Sequence, residues 1–208
     1  MRDVRSTILL VHHKTVTEDA KRYFNELVEL AKNLLEAEVY SVEVDRIYDL
    51  DIDPDIVVSL FMFRGGHHAS VEERFRDKVV GPLPSSITLL HMLWHLPRLR
   101  EKHDIKEVVL VYYSSKRLSR ERRNAVNQLA EILTKHIGGV VGTLDYTPPS
   151  QIECRDGTIY VPLSIAPSTL TKRLDSSSCL RTPTLLEGSM GLVLSWIIGV
   201  FDGFQRRP

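Results

Sequence analysis

Two short apolar runs in the first third of the chain each end in a pair of histidines. They cover residues 8–13 and 56–68, and the second run reaches its histidines through two glycines. Both runs are rich in β-branched or aromatic residues and bounded by polar residues or glycine, which is typical of strands buried on both faces of a parallel sheet. Because ligands of such sheets collect at the carboxyl ends of the strands, the histidines are predicted to lie at a binding edge.

The sequence between the strands predicts helices. Residues 15–18 have the spacing of a capping box, and apolar residues then recur at helical intervals. These residues are Tyr23, Leu27, Leu30 and Leu34. A second strand is predicted at residues 38–43, and further helices are predicted to begin near Ser70 and at Ser86, the second of them kinked at Pro97. The alternation of strand and helix indicates an α/β fold with parallel sheets.

The order of elements then repeats. Residues 108–113 resemble the first strand, and residues 127–131 match residues 25–29, which lie 102 positions earlier. The sequence therefore predicts two similar lobes, each a small parallel sheet flanked by helices, with the first at residues 1–102 and the second at residues 103–208. The alternative, that two αβ units share these periodicities by chance, stays open.

The composition limits the partners and the compartment. The chain has 208 residues, 43% of them hydrophobic, and its 27 basic residues balance 27 acidic residues. No net charge draws it to nucleic acid or to an anionic membrane. No signal sequence is apparent at the amino terminus, so a cytoplasmic location is expected. Cys154 and Cys179 lack a metal-binding spacing and indicate neither a disulfide framework nor a zinc site, and a single bridge between them stays open.

Other familiar motifs are weak. His91 and His95 are four residues apart on one predicted helical face, but no glutamate follows the first of them as in HExxH proteases, so helix packing is favoured over a zinc site. Ser189 lacks the Gly-x-Ser-x-Gly order, and no histidine is expected beside it. No predicted strand is followed by a phosphate loop or a dinucleotide fingerprint. The apolar residues 191–201 predict a buried helix or a subunit interface, since they are too few for a secure membrane span.

Two segments resemble a known family. His13-Lys14-Thr15 is similar to the strand-end His-Gly-Ser of the CbiX-type sirohydrochlorin chelatases. Residues 60–67, Leu-Phe-Met-Phe-Arg-Gly-Gly-His, resemble their Pro-Leu-Phe-Leu-x-x-Gly-Gly-His signature. The chain departs from the family at Lys14, which replaces a glycine, at Ser59, which replaces the proline before Leu-Phe, and at residues 69–71, where Ala-Ser-Val replaces Asp-Ile-Pro.

The resemblance implies a site at the edge of the first lobe, and the residues support it independently. In a doubly wound sheet the first strand lies centrally, so the strand ends that carry His13, Glu43 and His67 are expected to converge. Imidazole and carboxylate suit divalent cobalt, nickel, iron or zinc. His13 and His67 are predicted to bind the metal and accept protons, and Glu43, which is similar to the glutamate that the family carries after its second strand, is predicted to assist. The second copy carries Tyr113 and Leu170 in place of the two histidines, so the chemistry is expected in the first copy.

The resemblance also implies a substrate and an activity. The chain is expected to insert a divalent metal into sirohydrochlorin, a tetrapyrrole rich in carboxylates, in a cleft between the lobes, with cobalt expected and nickel or iron as alternatives. Gly65 and Gly66 would let the backbone approach this flat ligand. Lys14 and Arg64 would contact its carboxylates. Three further cations lie in suitable loops: Arg46, Lys116 and Arg117.

These expectations extend to cofactors and assembly. The metal and the macrocycle are expected as substrates, with no tightly bound cofactor. Neither nucleic acid nor a membrane is an expected partner, and the chain is expected to be a monomer or a homodimer. The alternative function is a non-catalytic carrier of metal or tetrapyrrole, which the departures at Ser59 and Lys14 would favour if they remove turnover and leave binding.

Overall fold

The computed structural model describes residues 5–113, 120–147 and 151–206. Within these ranges the chain forms two parallel sheets and their connecting helices. The strands are β1 (Thr7–His12), β2 (Glu38–Glu43), β3 (Ile56–Ser59), β4 (Val79–Val80), β5 (Glu107–Tyr113), β6 (Val140–Tyr146) and β7 (Thr158–Pro162). The α-helices are α1 (Glu18–Leu35), α2 (Gly66–Phe75), α3 (Ser85–Lys102), α4 (Arg120–Ile137), α5 (Thr169–Ser176) and α6 (Leu185–Gln205). Short 3-10 segments follow β2 at Val44–Asp49 and α2 at Arg76–Lys78.

The first sheet has the order β2-β1-β3-β4, and all its pairings are parallel. β1 is next to both β2 and β3, because Ile8 pairs with Val39 on one side and with Ile56 on the other. Side chains on both faces of β1 are buried, as expected for an apolar strand inside a parallel sheet. The carboxyl ends of β2, β1 and β3 therefore meet at one edge.

The second sheet, β6-β5-β7, repeats this arrangement. Its pairings are parallel, and β5 has the place that β1 has in the first sheet. The repeat extends to single backbone hydrogen bonds. The N–H of Leu60 donates to the carbonyl of Val11 at 2.8 Å, and the N–H of Leu163 donates to the carbonyl of Val111 at 2.8 Å. The predicted fold class, two similar α/β lobes with parallel sheets, is confirmed.

The chain divides into two compact units. One holds the chain up to Pro84 together with the residues from Met190 onward, and the other is Ser85–Ser189. Helix α6 contributes to both units, and its helical geometry is broken at Ser189 (φ −151°, ψ 38°). The boundary that the repeat predicts between its two copies, at residues 102 and 103, stays a prediction.

Helix α1 begins as predicted but buries a different face. The Thr17 hydroxyl accepts a hydrogen bond from the N–H of Ala20 at 2.9 Å and caps the helix. The predicted apolar face is wrong at Leu30 and Leu34, which are 37% and 59% exposed, and among its four positions only Leu27 is buried. The buried residues are Ala20, Phe24, Leu27, Val28, Ala31 and Leu35. Four of them follow a predicted position by one residue, which turns the face by about 100°, because small alanines complete the buried stripe in place of large leucines.

The two cysteines form a disulfide bond, which decides the pairing that the sequence left open. Cys154 precedes β7, and Cys179 follows α5 and packs in the hydrophobic cluster of the second sheet. The bond therefore joins the segment before β7 to the end of α5.

Helix α6 is strongly apolar. Among the described residues, α6 is the helix that is long and apolar enough to cross a membrane. Its most apolar 18-residue window has a mean hydropathy of 1.5, and 33% of that window is buried. Core helices of soluble proteins meet the same criteria of length and composition.

Candidate functional site

Two imidazoles meet at the carboxyl edge of the first sheet. His13 follows β1, and His67 is the second residue of α2. Their ring centroids are 5.0 Å apart with 85° between the ring planes, and both residues are exposed. β1 and β3 are neighbours in the sheet, so residues that are distant in sequence arrive at the same edge. The structure thus brings together the two predicted metal ligands at a place that solvent can reach.

Phe61 packs against both imidazoles. Its ring meets His13 edge-on with 4.6 Å between centroids and lies nearly parallel to His67 at 6.1 Å. Phe61 is 2% exposed and belongs to the hydrophobic core of the first sheet. This buried ring limits where the two imidazoles can lie. Sequence reasoning assigned Phe61 no role, and the available signal was an aromatic residue just past the end of β3.

Glu43 ends β2 and is bound by the loop after β1. Its Oε1 accepts a hydrogen bond from the N–H of Thr15 at 2.8 Å and another from the Thr15 hydroxyl. Burial alone would raise the pKa of Glu43, but these hydrogen bonds, with smaller effects of His12 and Lys14, lower the pKa below its ordinary value. Glu43 is therefore a carboxylate at neutral pH.

Glu43 and the imidazole pair do not form a closed metal site. Within the described ranges, no group of three or more His, Cys, Asp or Glu side chains is placed to hold a metal ion. His12 is the last residue of β1 and is buried, whereas His13 follows the strand and is exposed. His12 pairs in register with Glu43, whereas His13 faces His67. The structure therefore pairs the two imidazoles and places Glu43 beside His12, and the joint role of the three residues stays a prediction.

His12 is buried next to Glu43. Its ring stacks on Phe24 with 3.8 Å between centroids, and its Nδ1–H donates to the carbonyl of His13 at 2.7 Å. Burial lowers the pKa of His12, although the carbonyl and the charge of Glu43 oppose the shift, so the ring is neutral at physiological pH. A cavity of about 250 Å³ opens beside it. Polar residues that line this cavity are Thr15, Lys21, Asn25, Ser41, Glu43 and Arg46.

His68 is buried although its neighbour in sequence, His67, is exposed. Its Nδ1 lies 2.7 Å from the Ser59 hydroxyl. Its Nε2 lies 3.2 Å from Glu72, a distance that fits an ion pair, but the two groups are not aligned for a hydrogen bond. Burial lowers the pKa of His68 more than Glu72 raises it. Glu72 also binds Arg64, and this hydrogen bond lowers the pKa of the carboxyl group.

Three of the five predicted cations lie within the described residues, each after a strand of the first sheet. Lys14 is exposed directly after the first histidine pair. Arg64 is exposed and engaged by a carboxylate of α2. Arg46 is exposed in the 3-10 segment after β2 and lines the cavity of about 250 Å³. Lys116 and Arg117 lie outside the described residues.

Gly65 and Gly66 form the start of α2. Gly65 precedes the helix with extended backbone and offers no side chain to cap it. A Cβ atom added at Gly66 would meet no atom within 4 Å, so packing inside the first sheet and its helices does not require a glycine there. The open space at Gly66 is what the predicted approach of a flat ligand needs.

A second histidine cluster lies within Ser85–Ser189 and corrects one expectation. The expectation of no histidine beside Ser189 is wrong, because Nδ1 of His91 lies 2.8 Å from the Ser189 hydroxyl. Nε2 of His91 donates to the carbonyl of Pro183 at 2.9 Å, and Nε2 of His95 donates to the carbonyl of Gly188 at 3.1 Å. Burial lowers the pKa of His91 to about 4, which makes it a poor general base at neutral pH. The two histidines join α3 to the start of α6.

The chain is similar over nearly its whole length to several solved structures. One is the sirohydrochlorin chelatase SirB from Bacillus subtilis subspecies spizizenii in complex with cobalt, with a TM-score of 0.65 and 15% identity over 98% of this chain and 97% of that chain. Another is CbiX, the terminal enzyme for biosynthesis of siroheme in denitrifying bacteria, with a TM-score of 0.62 and 15% identity over 94% of this chain and 99% of that chain. The chain has the fold of the sirohydrochlorin chelatases.

The chelatase fold also occurs inside a larger protein. DR2241 from Deinococcus radiodurans, a multi-domain protein with structural similarity to chelatases and two additional domains, matches with a TM-score of 0.52 and 13% identity over 93% of this chain and 54% of that chain. No protein-family model and no curated protein matches the sequence. The predicted resemblance to the CbiX-type chelatases is confirmed at the level of the fold.

Proposed function

We propose that this chain is a metal chelatase that inserts a divalent cation, with cobalt expected and nickel or iron as alternatives, into a tetrapyrrole of the sirohydrochlorin type. The observation that carries the proposal is the exposed imidazole pair, His13 and His67, with 5.0 Å between ring centroids at the carboxyl edge of a chelatase-like sheet. The similar structures support it, because SirB is a sirohydrochlorin chelatase solved with cobalt and CbiX acts in siroheme biosynthesis.

The imidazole pair suits an ion that must be released. Neutral imidazoles bind cobalt, nickel and iron alike, so availability and geometry decide which ion arrives. Structural metal sites use four protein ligands, whereas two imidazoles leave coordination positions for water and for the pyrrole nitrogens of a macrocycle. His13 and His67 would hold the ion at the edge of the sheet and pass it to the ligand. In this proposal the metal is a substrate.

Insertion also requires that the macrocycle lose two pyrrole protons. Imidazole is a common general base in enzymes, so His13 and His67 would serve in turn as ligand and as base. Glu43 would assist by placing negative charge near the incoming cation. Its hydrogen bonds from Thr15 keep it ionised, and this favours charge balance over proton storage.

The carboxylates of the macrocycle would meet cations around this edge. Arg46 and Lys21 line the cavity beside Glu43, and Arg46 can bind a carboxylate in bidentate fashion. Lys14 would contact a further carboxylate, and Arg64 would do so by exchanging its contact with Glu72. Gly66 would admit the face of the ring. We expect the reaction to take place in the cytoplasm. The balanced charge of the chain gives it no attraction to nucleic acid or to an anionic membrane.

A direct assay follows the absorbance of sirohydrochlorin with Co²⁺ in the presence and absence of the protein. The wild-type chain should speed insertion beyond the spontaneous rate, and His67→Ala and His13→Ala should each abolish the gain. His103→Ala is the matched control, because His103 is an exposed histidine of the other unit. Equal rates for the wild-type chain, His67→Ala and no protein would refute the proposal. The same assay with Ni²⁺ and Fe²⁺ identifies the preferred ion.

A non-catalytic carrier of metal or tetrapyrrole is the second candidate. The observation that favours it is that no three-residue ligand group lies within the described ranges. A carrier would bind Co²⁺ or sirohydrochlorin without accelerating insertion. Equilibrium titration of each ligand beside the rate assay therefore separates the two functions.

A further inference from the structure

We propose that Ser59 and His68 are positioning residues that hold His67 against His13. The roles of His13 and His67 rest on the proposed function, but the contact between Ser59 and His68 does not. Ser59 is the last residue of β3, and His68 is the third residue of α2. They are 0% and 1% exposed, and the Ser59 hydroxyl lies 2.7 Å from Nδ1 of His68. This contact closes the loop at residues 60–65, which carries the chain from the sheet to His67.

The surroundings of His68 indicate which partner donates. The Glu72 carboxylate lies 3.2 Å from Nε2, and this favours a proton on that nitrogen. Nδ1 then carries the lone pair, so the Ser59 hydroxyl donates to it. Glu72 also binds Arg64, which belongs to the same loop. Helix α2 is therefore joined to β3 through the contact of His68 with Ser59 and to the loop through the contact of Glu72 with Arg64.

Helix α2 needs such a contact because its own start has none. Gly65 at the N-cap makes no side-chain hydrogen bond to the helix. The first backbone N–H groups of a helix have no partner within the helix, and a start without a capping side chain frays more easily. His67 lies in this first turn, next to His68. A contact that fixes His68 therefore fixes the backbone that carries His67.

The second lobe provides an internal comparison. Leu163 makes the backbone hydrogen bond that Leu60 makes in the first lobe, so Pro162 stands at the place of Ser59. The third residue of α5 is Thr171, whose hydroxyl accepts a hydrogen bond from the N–H of Ser168 at 2.8 Å. In that lobe the start of the helix is fixed by its own capping box.

The residue before Thr171 shows what differs between the lobes. Leu170 stands at the place of His67 and is fully buried, so hydrophobic packing holds it. The exposed imidazole of His67 packs only against Phe61 and His13 among the ring contacts described, and the buried contact between Ser59 and His68 adds a restraint on the neighbouring backbone. Ser59 and His68 therefore occur in the lobe that carries the imidazole pair. Ser59 stands where the CbiX-type signature has the proline before Leu-Phe.

The test uses Ser59→Ala, His68→Leu and the double variant in the full chain, with Thr134→Ala as control for the loss of a hydroxyl in the other unit. Two quantities are measured on each: the resistance to unfolding by urea and the affinity for Co²⁺ without macrocycle. Each single variant leaves a buried polar group without its partner and should unfold at lower urea concentration, whereas the double variant removes both groups and should recover most of the loss.

The affinity for Co²⁺ separates a positioning role from a structural one. Groups that orient metal ligands typically contribute 10–100-fold in affinity, so we expect a loss of about tenfold or more in both single variants. The loss should persist in the double variant although its stability recovers, because the hydrogen bond between Ser59 and His68 is missing there as well. Recovery of affinity together with stability, or an affinity of Ser59→Ala equal to that of Thr134→Ala, would overturn the proposal.

A second readout needs no metal. NMR relaxation of the His67 ring should report an ordered side chain in the wild-type chain and greater mobility in Ser59→Ala and in the double variant. Equal order in all variants would also overturn the proposal. A wild-type chain that orders His67 and binds Co²⁺ but inserts no metal would refute the proposed function and leave the positioning role supported.

Discussion

Replacing Thr15 by valine tests the origin of the charge on Glu43. Thr15 donates two hydrogen bonds to Oε1 of Glu43, one from the backbone N–H and one from the hydroxyl. Valine has nearly the shape of threonine, so Thr15→Val removes only the second bond. A hydrogen bond to a charged group contributes about 1.5–3 kcal/mol, and partial exposure of Glu43 places the expected loss near the lower end of that range.

The loss should depend on pH in a definite direction. The pKa of Glu43 is lowered in the folded chain, so its contribution to stability is present above the pKa of the unfolded chain and disappears as pH falls through the folded pKa. Thr15→Val should raise the folded pKa toward the ordinary value. The difference in free energy of unfolding between wild type and variant should therefore be largest at neutral pH and shrink in acid, where a neutral hydrogen bond of about 1 kcal/mol remains.

Urea denaturation at neutral and acidic pH measures the difference, and a carbon-detected NMR titration follows the Glu43 carboxyl group. Thr134→Val is the control, because the Thr134 hydroxyl donates to the backbone carbonyl of Ala130, an acceptor that does not titrate. Its cost should be the same at both pH values. A cost of Thr15→Val that is equally independent of pH, or an unchanged pKa of Glu43, would refute this account of the site.

Three further predictions concern other parts of the chain. Leu27→Ala should lower the free energy of unfolding by about 2–5 kcal/mol and Leu34→Ala by at most about 0.5 kcal/mol, because Leu27 is fully buried and Leu34 is 59% exposed; equal costs in urea denaturation would contradict the observed face of α1. Arg46→Gln should weaken sirohydrochlorin binding roughly three- to tenfold and leave Co²⁺ affinity unchanged, as fluorescence and metal titrations would show, since only the macrocycle carries carboxylates; equal sirohydrochlorin affinity would remove Arg46 from the binding edge. Cys154→Ser should lower the free energy of unfolding by about 3 kcal/mol, because the bridge to Cys179 spans a sequence separation of 25. Thiols stay reduced in the cytoplasm, so a cytoplasmic location predicts that the reduced chain remains folded. Unfolding of the chain by reductant at 37 °C would contradict that location.

The strands of the first sheet could be predicted because their signal is local. The second predicted strand coincides with β2, and the third begins at Ile56 as predicted. Buried parallel strands are continuous apolar runs, and glycine or polar residues mark their ends. The face of α1 could not be predicted in the same way. Leu30 and Leu34 are more hydrophobic than Ala31, but burial follows the geometry of packing against the sheet, which hydrophobicity alone does not define.

The sequence predicted one part of the candidate site and not the other. The neighbourhood of His13 and His67 followed from strand order, because the carboxyl ends of adjacent parallel strands meet. The hydrogen bonds from Thr15 to Glu43 depend on the conformation of the loop after β1, which no sequence pattern predicts. The contact of Ser189 with His91 joins residues far apart in sequence across two helices, and no short-range pattern predicts it.

Both lobes bring the same two positions together, and only the side chains differ. In the second lobe, Tyr113 packs against the hydrophobic cluster that contains Leu170. In the first lobe, the equivalent positions carry His13 and His67, whose rings are 5.0 Å apart. The repeated backbone therefore creates the proximity, and the residue types decide whether it becomes core or an exposed pair of metal ligands. In the first lobe, Phe61 fills the hydrophobic core beside the two imidazoles. The imidazoles can therefore stay exposed to ligands while the core remains packed.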